Sequence, residues 1–358
     1  MRQLYFNSAA TNTHQQSNNH HTNCTKAWMA LNTEDTRIQS VINQASASIL
    51  DDPEITGIAL GGGHVIVYVE RVSSAILQKI PTQINGVQVE VKSSGKLRLL
   101  SMMAPSILTT PLSNISQIRP VLGGYSCGCP QITAGTFSGA VRYRSTGERV
   151  GLSNNHVLLG AKWGTQEGFD NNPVYQPGVA DGGGPEDVIG HTIRGIPVEL
   201  TPTENLVDAA IFRPTDQSLL SDEVKDLGIP GYAVDPVVGK RGRKSGRTTG
   251  LTESTIESIG ATIDVAGTGT ARFVDQIIFR PALAQGGDSG SIVLDDNGNV
   301  FGIVFAGSDE ITAVCRSKNL ESLLGISFGT VPSIPIASGF SFIPLAIGIA
   351  AVWWGGSK

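Results

Sequence analysis

A mainly β protein carrying a small α/β unit near its N-terminus is the fold class this 358-residue sequence predicts. Three observations predict it. The middle of the chain is a succession of short apolar runs separated by Gly, Pro, Asn and Asp, the pattern of short strands and tight turns. Glycine is abundant at 43 residues while aromatic residues make up only 6%. One stretch of clear helical periodicity, "DTRIQSVINQASASIL", stands well before that region. With 40% apolar and 16% charged residues the composition is globular and long enough for one large domain plus a smaller one. The formal charge of −5 gives no reason to expect nucleic acid or acidic lipid as a partner.

Residues 1–32 open with "MRQLYFNSAATNTHQQSNNHHTN", which has no apolar core of a signal peptide and reads as a disordered polar tail. His14, His20 and His21 lie in it, and a polar tail explains them more simply than a metal site. Residues 33–103 form the predicted α/β unit. Ile38, Val41, Ile42 and Ala45 share one helix face, and Asp51-Asp52-Pro53 ends the helix. "ITGIAL" and "HVIVYVE" read as strands around three glycines, "SSAILQKI" as a short helix and "GVQVEVK" as a strand. Nothing in this unit reads as catalytic, and His64 reads as structural. Residues 104–130, with Pro105, Pro111 and Pro120, read as a linker. Residues 131–328 form the strand-rich domain, closing with a short helix and strand in "SKNLESLLGISF". Residues 329–358 are an apolar tail without a charge until Lys358. Its length approaches the roughly 20 apolar residues of a membrane span, and Trp353 and Trp354 suit an interface belt. A membrane anchor and a tail packed on the protein both stay open.

Four cysteines occur, at 24, 127, 129 and 315. Cys127 and Cys129 are too close for an ordinary bridge, and one Cys-x-Cys without neighbouring histidines is a weak metal signal. They read as free thiols, which suits a reducing compartment.

The stretch "ALAQGGDSGSIV" places Ser289 among turn residues. A turn alone explains it; a nucleophile would need a base, an orienting acid and nearby N–H donors. Outside the polar tail and the α/β unit only His156 and His191 can be the base. His156, in "ERVGLSNNHVLLG", lies where an apolar strand ends, whereas His191, in "DVIGHTIRG", alternates with apolar residues as a solvated strand position would. Asp208, in "ENLVDAAIF", sits inside an apolar strand, and a carboxylate is rarely buried without a partner. A structural ion pair would also satisfy it. The order His, Asp, Ser differs from that of subtilisins and α/β-hydrolases.

Together "GTFSGAVRYRSTGERVGLSNNHV", "LVDAAI", "QGGDSGSIV" and "NGNVFGIVFAG" resemble the motifs of the trypsin-like, chymotrypsin-fold serine peptidases over residues 130–328. "VYQPGVADGG" and "VGKRGRKSGRTTGLT" look more like the bacterial and plant peptidases related to the Nal1 group. The resemblance implies two six-stranded antiparallel β-barrels with the site between them, and a serine endopeptidase. His156 as base and Asp208 as its orienting acid would come from the first barrel, and Ser289 as nucleophile from the second. The N–H groups of Gly287 and Ser289 would form the oxyanion hole. The primary pocket would be lined by Leu283, Ala284 and Gln285 and by Phe305, Ala306 and Gly307, with no acid at 283 and hence an apolar preference. Asp288 usually receives a freed N-terminus in this family. The chain has no "IVGG"-type start, so the turn must be organised differently.

The cluster Lys240, Arg241, Arg243, Lys244 and Arg247 reads as a solvated hairpin face. An anion or acidic partner is the alternative. The implied partner is a protein or peptide substrate, with no metal and no organic cofactor. A homo-oligomer and a membrane contact through the tail stay open, and the expected location is cytoplasmic. Two rivals remain: a protease-fold binding module without activity, and a protease that cuts only itself or one partner.

Overall fold

The computed structural model describes residues 33–100, 114–160 and 171–329. The polar tail with its three histidines, Cys24 and the apolar tail after Gly329 lie outside the described residues. No described helix is long and apolar enough to cross a membrane.

The N-terminal unit follows its sequence pattern. Helix α1 (Thr33–Ile49) begins with Glu34 and Asp35 in its first turn, where the helix dipole favours acids. Its face of Ile38, Val41, Ile42 and Ala45 is buried. Full burial of each large aliphatic side chain contributes roughly 1.5–3 kcal/mol. Strands β1 (Ile55–Leu60) and β2 (Val65–Val69) form an antiparallel hairpin. Helix α2 (Ser74–Lys79), capped by the Ser73 hydroxyl, carries the chain past β3 (Gln83–Ile84) into β4 (Val87–Ser93), parallel to β2. A parallel pair needs such a crossover. Strand β5 (Arg98–Leu99) then leaves the unit. His64 hydrogen-bonds Glu90 at 2.9 Å on the surface of this sheet.

Of the expected linker, residues 114–130 are woven into the fold. They supply β6 (Val121–Gly123) and β7 (Ser126–Cys127), which pairs β8 (Gly135–Thr136). Asn114 is buried, its amide donating to the carbonyls of Gly124 and Gly246. A proline-rich composition does not prevent such a segment from being fixed by buried hydrogen bonds.

The first barrel is built on a six-stranded antiparallel sheet. Its strands are β9 (Gly139–Tyr143), β10 (Arg149–Ser153), β11 (Pro173–Tyr175), β12 (Val188–Gly195), β14 (Ala210–Pro214) and β22 (Ile326–Ser327). They run in the order β11-β12-β14-β10-β9-β22. Helix α3 (Asn155–Leu158) follows β10, and β15 (Leu220–Val224) pairs with β6.

The second barrel closes on itself. Strands β16 (Arg241–Gly246), β17 (Gly250–Ala266), β18 (Thr270–Arg280), β21 (Thr312–Arg316), β20 (Val300–Gly307) and β19 (Ile292–Leu294) each pair with the next, and β19 returns to β16. Closure leaves no free edge within the ring. Beyond the ring, β13 (Glu204–Asn205) pairs with β18. Helix α4 (Ser317–Leu324) leads back to β22 in the first barrel.

The N-terminal unit is joined to this barrel by sheet rather than by a linker alone. The C-terminal half of β17 pairs antiparallel with β1, Ile58 opposite Thr262 and Leu60 opposite Ile259. Ile38 and Ile42 of α1 share one apolar cluster with Ile256, Ile277, Phe279 and Val304 of the barrel.

Candidate active site

Strand pairing places the histidine against the acid. Ser153 at the end of β10 lies opposite Ala210 at the start of β14. The residues just past one strand and just before the other are therefore neighbours. His156 Nδ1 lies 2.6 Å from Asp208 Oδ2, and the His156 backbone N–H donates to Asp208 Oδ1 at 3.1 Å. Both side chains are 0% exposed. An ionised Asp208 can only accept, so the ring proton sits on Nδ1 and Nε2 offers its lone pair. That Nε2 is buried and has no hydrogen-bond partner. The Asp208 N–H donates to Cys315 Sγ at 3.4 Å, tying the acid to β21 of the other barrel. Burial pushes the Cys315 thiol well above its ordinary range, so it stays a packing group. All three described cysteines are free and buried.

The serine lies on a turn fixed by the first barrel. The Asp288 N–H donates to the Gln285 carbonyl at 2.9 Å, and the Thr136 N–H donates to the Ser289 carbonyl at 2.7 Å. Gly290, at φ +95°, meets the Thr136 backbone so closely that any Cβ would collide with its carbonyl oxygen. Gly135 packs against both Val157, next to His156, and the Ser289 carbonyl. Ser289 is fully buried, and its hydroxyl donates to the Phe305 carbonyl at 3.4 Å.

Gly287 adopts φ +95°, and a Cβ there would collide with Thr248 Oγ1 and lie 2.6 Å from Arg247 Nη1. Gly287→Ala should therefore turn its N–H away from the cleft and lower any acyl-transfer rate by about 10²-fold or more. Steady-state kinetics on the variant, with its melting temperature as control, checks this.

The solvated-hairpin reading of the cation cluster holds for Lys240 and Arg241 and needs correcting at Lys244 and Arg247. Lys244 is completely buried, its Nζ 3.3 Å from Asp288 Oδ2. Asp288 also accepts from the N–H groups of Thr248, Thr249 and Gln285 at 2.9, 3.2 and 3.0 Å. An internal ammonium thus opposes the carboxylate of the serine turn. Arg247, 9% exposed, holds Asp181 through Nε at 2.6 Å and Nη2 at 2.7 Å. The missed signal is the strand period: Gly242, Lys244 and Gly246 face inward on β16 while Arg241 is exposed. His191 lies half-buried on β12, opposite Pro173 and Arg213, away from this cluster.

The predicted pocket residues fall in two groups, Leu283 and Ala284 in one apolar cluster and Phe305 and Ala306 in the other. Leu283 and Ala284 are buried and belong to one apolar cluster with Leu100, and Phe305, Ala306 and Gly307 form the end of β20. Leu283, Ala284 and Gln285 also line a cavity of about 350 Å³ with Thr252 and Ser308. Among the described residues no group of three or more His, Cys, Asp or Glu is arranged to hold a metal ion.

A closed six-stranded barrel facing a six-stranded antiparallel sheet, with the His-Asp pair on one and the serine turn on the other, defines a chymotrypsin-like, trypsin-like fold preceded by a helix-and-strand unit. No family model and no curated protein matches the sequence. Solved structures similar to the chain include Thermobifida fusca protease A, with 19% identity, 59% of this chain and 99% of that one covered, and a TM-score of 0.44. The chymotrypsin of Cellulomonas bogoriensis has 17% identity, 59% and 99% coverage and a TM-score of 0.41. A glutamic acid-specific serine protease has 22% identity, 58% and 100% coverage and a TM-score of 0.41.

Proposed function

We propose that the chain is a serine endopeptidase. The observation that carries this reading is the buried His156–Asp208 pair of the first barrel, its Nε2 unpartnered, packed through Gly135 against the Ser289 turn of the second. Ser289 Oγ is the nucleophile. In the reaction Ser289 Oγ leaves the Phe305 carbonyl and gives its proton to His156 Nε2. His156 takes the hydroxyl proton and passes it to the leaving amine, while Asp208 holds the ring and stabilises the imidazolium. The N–H groups of Gly287 and Ser289 receive the charge of the tetrahedral intermediate. Water activated by His156 then releases the acyl group. The substrate is a protein or peptide, and the apolar walls at Leu283 and Ala284 favour an apolar side chain before the cut bond. The likeness of the "VYQPGVADGG" and "VGKRGRKSGRTTGLT" segments to the Nal1-related peptidases belongs to this reading.

A fluorophosphonate probe tests it. Folded wild type should gain the mass of one phosphonyl group, and Ser289→Ala none. Equal absence of labelling in both, with the cleft opened as described below, would leave a protease-fold binding module.

A further inference from the structure

The segment Leu97–Leu100 enters the second barrel as a peptide strand would enter a binding cleft. β5 pairs antiparallel with β20, Leu99 opposite Ala306 and Arg98 opposite Gly307. An extended peptide added to a strand edge is a recurrent recognition mode. On its other side β5 pairs with the end of β17, and the Ala266 N–H donates to the Leu97 carbonyl at 3.0 Å. One residue beyond the paired strand, the Gly287 N–H donates to the Leu100 carbonyl oxygen at 3.3 Å. The side chain of Leu100 is fully buried in the cluster of Leu283, Ala284 and Val304, its Cδ2 lying 3.5 Å from where a Cβ on Gly307 would stand. Ser289 donates to Phe305, the residue just before Ala306 on the same strand. Backbone register, an oxyanion donor and the apolar pocket therefore converge on one residue. Among the described residues, it is the Leu100 carbonyl that the Gly287 N–H holds.

We propose that this chain is its own substrate, and that Ser289 cuts the peptide bond following Leu100. This rests on the endopeptidase reading and adds to it the bond and the side chain selected. Ser289 Oγ bonds to the Leu100 carbonyl carbon as His156 takes the hydroxyl proton. The bond from that carbon to the nitrogen of Ser101 breaks, and His156 returns the proton to this amine. One water molecule then hydrolyses the Leu100 ester, giving a Leu100 carboxylate and restoring Ser289. The released N-terminal piece keeps its pairing to β17 and its share of the core. It therefore stays bound after the cut, with its new carboxylate at the Gly287 N–H. Other substrates must displace it.

Intact mass spectrometry of the full-length chain after purification, with and without fluorophosphonate, decides the matter. Wild type should separate into residues 1–100 and 101–358, which co-purify, while Ser289→Ala stays whole. Leu100→Met, which keeps an apolar side chain of similar volume, should still be cut. Leu100→Asp should be cut at least about 100-fold more slowly, because an ionised carboxylate would enter an apolar pocket, and its emptied cleft should accept the probe. Labelling of wild type or of Leu100→Asp with the bond after Leu100 intact in wild type would overturn self-cleavage and leave the peptidase reading standing, with Leu97–Leu100 an uncut strap. Cleavage at another bond alone would also overturn it. Neither labelling nor cleavage in any folded variant would overturn both.

Discussion

Asp208→Asn is expected to slow acylation by about 10⁴-fold while leaving the fold in place. The substitution is isosteric, and Asp208 makes two separate bonds to one residue: Oδ1 accepts the His156 backbone N–H and Oδ2 faces Nδ1. An asparagine must keep an oxygen toward the backbone N–H. Its NH₂ then faces Nδ1, which can only accept, and the ring proton moves to Nε2. The histidine would meet Ser289 as a donor when a base is needed. The second-order rate of fluorophosphonate labelling measures this, with the melting temperature as a check on folding. A variant within tenfold of wild type would remove Asp208 from the mechanism.

Lys244→Met carries the second large effect. Lys244 and Asp288 are both fully buried, so the variant leaves a carboxylate whose charge is opposed only by N–H and hydroxyl donors. Removing one partner of a buried pair costs about 3–5 kcal/mol. The loss falls on the turn that carries Gly287 and Ser289, so both melting temperature and acylation rate should drop. The pH profile separates this role from simple packing. Burial pulls the Lys244 ammonium below the ordinary lysine range, against the pull of Asp288. The protonated form holds Asp288. Wild-type activity should therefore fall as pH rises through that lowered value, at a pH below that of a free lysine. Lys244→Met should be slow at every pH and lack this alkaline limb. An unchanged limb in the variant would assign the decline to another group.

Much of the candidate site was legible because its motifs are local. An apolar strand running into Ser-Asn-Asn-His, and an Asp inside an apolar strand, each state a physical problem that the other solves. The Gly residues around Ser289 are needed where Thr136 and Thr248 approach. Lys244 was hidden because five cations crowd one segment, and only barrel closure decides which side of β16 is interior. The elements of the N-terminal unit were legible from periodicity: Ile38, Val41, Ile42 and Ala45 are buried as a face. Their attachment was not. The pairing of Leu60 with Ile259, and of Leu99 with Ala306, joins segments far apart in the chain. Alternating apolar residues define a strand's faces but do not name its partner. The "LRLL" at the end of the unit therefore gave no sign of where it goes.

The 17-residue strand β17 has a further consequence. Its first half is sealed inside the barrel, but one side of its second half is covered only by β1 and, at its end, by β5. Taking away the N-terminal unit would uncover a row of unpaired amides and carbonyls flanked by Ile259, Ile263 and Val265. Such an edge recruits whatever strand it meets. A bare two-barrel domain would accordingly be prone to stick to its own copies.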